Sequence, residues 1–272
     1  MENNVLKNVL AQYKKNSTKK EKKEVDLTKY FNTILQKNQA TGKVRFRILP
    51  PKPGESPFEE VYFHEMQIDG EWKKIYCPAK NDHDDCPLCE AEQILKSSGD
   101  KTQEDAAKQY KVRKFYIVKG IERGKEEEGV KFWRFKHNYK NEGILDKIIP
   151  LFEEDGDITD KMRGRDIVIS MGKDDKGYTK VTSILSKEPT PLSTDEEQMN
   201  EWVNDEMKWT DVYSRKPEDF LRILAEGDVP VYDSSAGKYV SKSSGLRPSA
   251  TNQNYSKKVE KSTNEDNDEE PF

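Results

Sequence analysis

Cysteine and histidine are scarce in this 272-residue chain, with three of each, and long apolar runs are missing altogether. An odd cysteine count does not build a disulfide framework, and it fits a reducing compartment. Nothing approaches the roughly 20 consecutive apolar residues of a membrane span. No charged segment followed by an apolar one opens the chain, so no secretory signal is expected. Hydrophobic residues make up only 33% and charged residues 36%. That balance is too polar for compact structure throughout. It predicts one good core, or two small domains, with disordered appendages.

The net charge of −4 hides a segregation. Residues 1–24 carry seven lysines against three glutamates, whereas residues 264–272 carry five acids and no base. A protein that binds polyanions need not be basic overall if its cations are concentrated on one surface.

The few cysteines and histidines are gathered in one place. His64 to Cys89 holds all three cysteines and two of the three histidines, and Cys86-Pro87-Leu88-Cys89 is a C-x2-C knuckle. Three thiolates and one imidazole at this spacing suit tetrahedral Zn²⁺. Four protein ligands leave no open position, so such a site would be structural, and a zinc hydrolase is disfavoured. Unpaired core thiols or a redox pair are the competing readings. A redox C-x2-C usually ends a strand of a βαβ unit, and no such pattern surrounds this one. Spacing leaves the fourth ligand open between His64 and His83, the latter within the acidic turn-like run Asn81–Asp85.

Along the chain, Val5, Val9 and Leu10 form a helical stripe, followed by a basic run containing Lys14, Lys15, Ser17, Thr18, Lys19 and Lys20. Val44–Leu49 alternates strictly, placing Val44, Phe46 and Ile48 on one face and Arg45 and Arg47 on the other. Two arginines on one outward face favour phosphate contact. Strands are expected over Phe58–Ile68 and Glu71–Tyr76, joined at Asp69-Gly70. Short helices are expected over Glu90–Ser97 and Thr102–Gln109, and further strands over Val112–Val118 and Val130–Lys136. The last two strands and their approach interleave rings with cations: Tyr110, Lys111, Arg113, Lys114 and Tyr116, then Lys131, Trp133, Arg134 and Lys136. Aromatic faces stack unpaired bases while Lys and Arg follow the backbone, which is how single strands are held without sequence preference. The bland alternative is that these rings are core and the charges merely point outward. Lys43, Tyr62, Trp72 and Tyr76 complete the candidate contacts.

A helix over Asn141–Phe152 should break near Pro150. Arg165–Met171 and Tyr178–Leu185 read as a hairpin. Helices are expected over Thr194–Asn204, with a capping box from Thr194, and over Pro217–Glu226. Residues 231–263 read as a flexible linker. The tail ends Asp268-Glu269-Glu270-Pro271-Phe272, an acidic run tipped by an apolar ring and a carboxylate, suited to docking on a partner. Five or six short strands with peripheral helices suggest a mainly β, α+β architecture built on an OB-type barrel.

These pieces together resemble the zinc-containing single-stranded DNA-binding proteins of T-even bacteriophages, from about Thr41 to Ile149. In that family a histidine lies far upstream of C…C-x2-C, which maps onto His64, Cys77, Cys86 and Cys89 and implies His64 as the fourth ligand. Phe46-Arg47-Ile48-Leu49-Pro50 resembles the family's first barrel strand, which implies that Arg47 faces DNA. Gly70-x-Trp72, Phe132-Trp133-Arg134-Phe135 and Asp146-Lys147-Ile148 extend the likeness. The Pro-Phe tip is similar to that of bacterial single-stranded DNA-binding proteins.

The resemblance implies a non-enzymatic protein that coats single-stranded DNA in phage replication, recombination and repair, within the cytoplasm of an infected bacterium. It implies a basic arm (1–24) for self-association along DNA. It also implies a core (25–230) with one structural zinc in a subdomain at about 60–110, and an acidic tail (264–272) recruiting replication and recombination proteins. The rival expectation is a zinc-stabilised adaptor that works through its tail.

Overall fold

The computed structural model describes residues 26–140 and 142–243. The basic arm, the chain beyond 243 and the acidic tail lie outside the described residues. The architecture is mixed α+β, mostly sheet with peripheral helices. Among the described residues, no helix is long and apolar enough to cross a membrane.

The strands are β1 (Tyr30–Phe31), β2 (Gly42–Ile48), β3 (Phe58–Ile68), β4 (Glu71–Tyr76), β5 (Val112–Glu122), β6 (Val130–Lys136), β7 (Arg165–Lys173) and β8 (Thr179–Pro189). Around them lie helices α1 (Pro78–Asn81), α2 (Pro87–Lys96), α3 (Lys101–Ala107), α4 (Ile144–Asp155), α5 (Glu196–Val203), α6 (Trp209–Val212) and α7 (Glu218–Ala225). A separate hairpin of β9 (Pro230–Asp233) and β10 (Lys238–Ser241) follows.

β5 is the hub of the sheet. Its residues 112–118 pair with β3, 115–121 with β6 and 120–122 with β2. The path runs β1-β6-β5-β2-β7-β8, with β3 and β4 branching from β5. No pairing among the described residues closes this sheet into a barrel. Where β2 crosses β5, Gly120 is obligatory: a Cβ there would lie 2.4 Å from the Phe46 ring and 2.5 Å from the Arg47 carbonyl oxygen. The β3–β4 turn is the expected one, with Asp69 and Gly70 both at positive φ, as a type I′ hairpin demands.

The apolar interior divides by face. Phe31, Phe46, Ile48, Trp133 and Ile167 pack under α4. Val61, Phe63, Phe115 and Phe132 pack against Trp209 and Tyr213. Met66, Ile75, Leu88 and Tyr110 pack against Phe220, Leu221 and Leu224 of α7. β3 is thus buried on both faces, and α7 is fastened to the Cys/His region.

Three expectations are corrected. α4 runs through Pro150 to Asp155. Ile148 and Leu151 are buried on its inner face and Phe152 packs on the core, whereas Pro150 is exposed, so the carbonyl it frees is left on the outer side of the helix. The cap of α5 is Asp195, whose carboxylate accepts from the amides of Glu197 and Gln198, in place of Thr194. The start of the expected linker is ordered as the β9–β10 hairpin, where Tyr239 meets Phe220 edge-on at 5.0 Å. Apolar contact with α7 compensates a composition that by itself promises little burial.

Candidate metal centre and nucleic-acid groove

The Cys/His cluster forms where β3, β4 and two helix starts converge. Cys77 follows β4 and precedes α1, Cys86 is the N-cap of α2, and Cys89 lies in the first turn of α2. Asn81 fixes this segment to β3, its side chain accepting from the Tyr62 amide at 2.9 Å and donating to the Tyr62 carbonyl at 2.8 Å. His64 enters from β3 and is fully buried.

One ligand atom from each of His64, Cys77, Cys86 and Cys89 lies within 4.8 Å of all the others. His64 Nε2 is 3.4 Å from Cys86 Sγ and 3.8 Å from Cys89 Sγ, and Cys77 Sγ is 3.6 Å from Cys89 Sγ. A tetrahedral zinc would space sulfurs about 3.8 Å and sulfur to nitrogen about 3.5 Å apart, so the donor set fits such an ion. His64 Nδ1 lies 2.6 Å from the Tyr110 carbonyl oxygen. That contact places the proton on Nδ1 and leaves Nε2 free to ligate, the usual outer-shell arrangement for a metal-binding histidine. Contacts among the three sulfurs pull the Cys86 thiol below its ordinary range and push the Cys89 thiol above its own, so the two titrate as one set. His83 is exposed, at positive φ, and takes no part.

Beside this cluster runs a groove of about 480 Å³. Its near wall is the start of β5 with Lys74 of β4. Its floor is β6, Tyr30 to Ile34 and Tyr213, and its far wall is the segment after β6 with the β7–β8 hairpin. Nine lysines and arginines line it against two acids, Glu142 and Asp174, so it attracts anions. Of the sequence candidates, Lys111, Arg113, Lys114, Arg134 and Lys136 lie here, and the buried Trp133 borders the floor.

Others do not. Arg47 is fully buried: its Nη2 donates to the carbonyls of Asp160 at 3.0 Å and Thr190 at 2.8 Å, and its Nη1 meets Asp166 at 3.4 Å. The strand alternation is right, but the face that should be outward is covered by the segments around Asp160 and Thr190. Trp133 is core, edge-on to Phe31 and Phe46. Tyr76 stacks on Trp209 at 5.5 Å, and Tyr110 donates to the Ala225 carbonyl at 3.2 Å. Lys131 is buried between Glu122 and Glu128. All five are buried and held by the protein's own groups. Lys43, Arg45 and Trp72 are exposed but outside the groove lining, as is the half-buried Tyr62, which donates to Glu60.

Tyr116 lies just beneath the lining, its hydroxyl 3.3 Å from His137 Nδ1. His137 in turn meets Tyr139 edge-on at 4.4 Å, and Tyr139 is 79% exposed. Tyr139, Lys140, Lys147, Lys180 and Lys74 are groove residues that sequence reasoning missed. Only His137–Lys140 carried a signal, because the ring-and-cation pattern of β6 continues past the strand.

A closed cluster of one histidine and three cysteines that could hold a metal ion, beside a cation-lined groove, has the features of a binder of polyanions. The family model described as "gp32 DNA binding protein like" matches residues 40–226, and the chain belongs to that family. The family is non-enzymatic, and its partner is DNA. No curated protein matches the chain.

Proposed function

We propose that this protein coats single-stranded DNA in phage replication, recombination and repair, inside the infected bacterium. The observation that carries the reading is the groove, where nine cations and the exposed Tyr139 ring share one surface. Lysines and arginines would follow the phosphates while Tyr139 stacks a base. An OB-type strand arrangement is part of this reading, supported by the hub position of β5. The metal is read as one structural Zn²⁺. When bound it supplies a crosslink between β3 and the start of α2, holding the near wall of the groove. Self-association is assigned to the arm, with Lys14, Lys15, Ser17, Thr18, Lys19 and Lys20. Recruitment of replication and recombination proteins is assigned to Asp268–Phe272.

Binding to poly-dT should weaken at least about tenfold between 50 and 200 mM salt, because neutralising several phosphates releases counterions. Salt-insensitive binding would overturn the groove reading. Tyr139→Ala should cost about 1–3 kcal/mol with oligo-dT, the usual worth of one stacked base, measured by fluorescence anisotropy. Deleting Glu265–Phe272 should preserve or tighten DNA binding, since the acids would compete with phosphate for the groove. A clear loss of affinity would contradict that role.

A further inference from the structure

We propose that Lys74, Arg134 and Lys136 form a seat for one backbone phosphate of the bound strand, and that the Glu65 carboxylate occupies this seat until the strand arrives. The proposal rests on reading the groove as the strand site, and it names within it a discrete position with its own internal competitor.

Glu65 stands opposite Lys74 in the β3–β4 ladder. One carboxylate oxygen lies 3.8 Å from Lys74 Nζ and the other 2.7 Å from Lys136 Nζ, with both Glu65 and Lys74 largely buried. Its two oxygens thus span two lysines, as the two unesterified oxygens of a phosphodiester would. Arg134 lies beside them with its guanidinium 4.2 Å from the centre of the Tyr213 ring and 4.6 Å from that of Phe63. It has no ion pair of its own among the described residues; Glu65 is the carboxylate that acts on it. Among the described residues, these three cations therefore surround the Glu65 carboxylate in a partly desolvated place, where like charge is costly. A diester anion would relieve that repulsion, and Arg134, packed on the rings, lines the same groove.

The surroundings of Lys74 bear this out. Burial, then repulsion from Arg134, holds its ammonium down to about 8, with Glu65 opposing and Lys136 adding to the repulsion. From β5, the Phe115 ring lies 5.9 Å from Nζ, and Lys111, Arg113 and Lys114 line the same groove. A phosphate in the seat favours charged Lys74 and returns its titration upward. The bound state then holds more protons than the free state above about pH 8, so binding takes up a proton and affinity falls as pH rises through that value.

The test uses the full chain and oligo-dT, with Kd measured by anisotropy from about pH 7 to 9.5 at fixed salt, a range that brackets the Lys74 titration. Wild-type Kd should rise above about pH 8 with a slope approaching, and not exceeding, about tenfold per unit. Lys74→Met should lose that slope. Glu65→Gln should tighten binding at about pH 7 by about five- to tenfold, as expected for removing a partly screened competitor. A Lys74→Met protein with the wild-type slope would overturn the seat. So would a normally melting Glu65→Gln protein that binds no more tightly. Should Glu65→Gln melt early, the Lys74→Met slope alone decides. Wild-type protein that fails to bind oligo-dT at low salt would instead defeat the single-strand reading itself.

Discussion

Stripping the metal from the full chain, or replacing Cys86 with serine, is expected to lower the melting temperature by at least about 10 °C. The donor atoms of His64, Cys77, Cys86 and Cys89 are drawn together from β3, the end of β4 and the start of α2. Without an ion, three sulfurs and a buried imidazole crowd one another with no shared counter-charge. Metal affinity at such a site is folding free energy. A domain of about 200 residues loses about 2–4 °C for each kcal/mol, so a loss of about 4 kcal/mol already reaches the expected shift. The damage should spread beyond the cluster. Tyr110 connects His64, through its carbonyl, to the last turn of α7, through its hydroxyl. Hydrogen exchange should therefore accelerate in α7 and the β9–β10 hairpin as well as in α1 and α2. An unchanged melt after verified metal removal would show that the cluster does not hold a structural ion.

Replacing Arg47 with methionine should be nearly as severe, about 3–5 kcal/mol, while leaving DNA affinity intact wherever the protein is still folded. The guanidinium donates to the buried-side carbonyls of both Asp160 and Thr190, and both would lose that partner. Burial pulls the Arg47 guanidinium below its ordinary range, and the Asp166 carboxylate opposes that pull. Breaking a buried charged network by removing one partner costs far more than a surface pair is worth. Asp166 keeps a second partner, Arg123 Nε at 2.9 Å, so the carboxylate itself is not orphaned. Denaturant unfolding of the variant reads the stability loss, and oligo-dT binding at low temperature reads the groove. A variant of normal stability that binds DNA about a hundredfold more weakly, a loss of about 2.7 kcal/mol, would mean that Arg47 faces the strand after all.

Arg47 is buried, where an outward face was expected, for a specific reason. Alternation along β2 correctly separates Arg45 and Arg47 from Phe46 and Ile48, yet it cannot say what covers the second face. The covering carbonyls come from Asp160 and Thr190, 113 and 143 positions further along the chain. The same limit applies to Trp133 and Tyr76. Interleaved rings and cations identify strands with two different faces, but a ring serves equally well as core or as a stacking platform. Lys131 and Lys136 share β6, and neighbours alone separate them: Glu122 and Glu128 bury the first, while the second lines the groove.

Local features were legible in the residues themselves. The Asp69-Gly70 turn, the strands flanking it and the C-x2-C knuckle depend on backbone preferences and spacings that act over a few residues. The residues of the Cys/His cluster that could hold a metal ion were also within reach, because the cysteines have no rivals, though His64 needed a family likeness to displace His83. Which cations share a groove was settled by packing alone. Lys74, Lys147 and Lys180 lie on three separate elements, and no pattern within any one of them marks it as part of a groove. Long-range pairing around β5 brings them to one surface, leaving Glu65 as the carboxylate between Lys74 and Lys136.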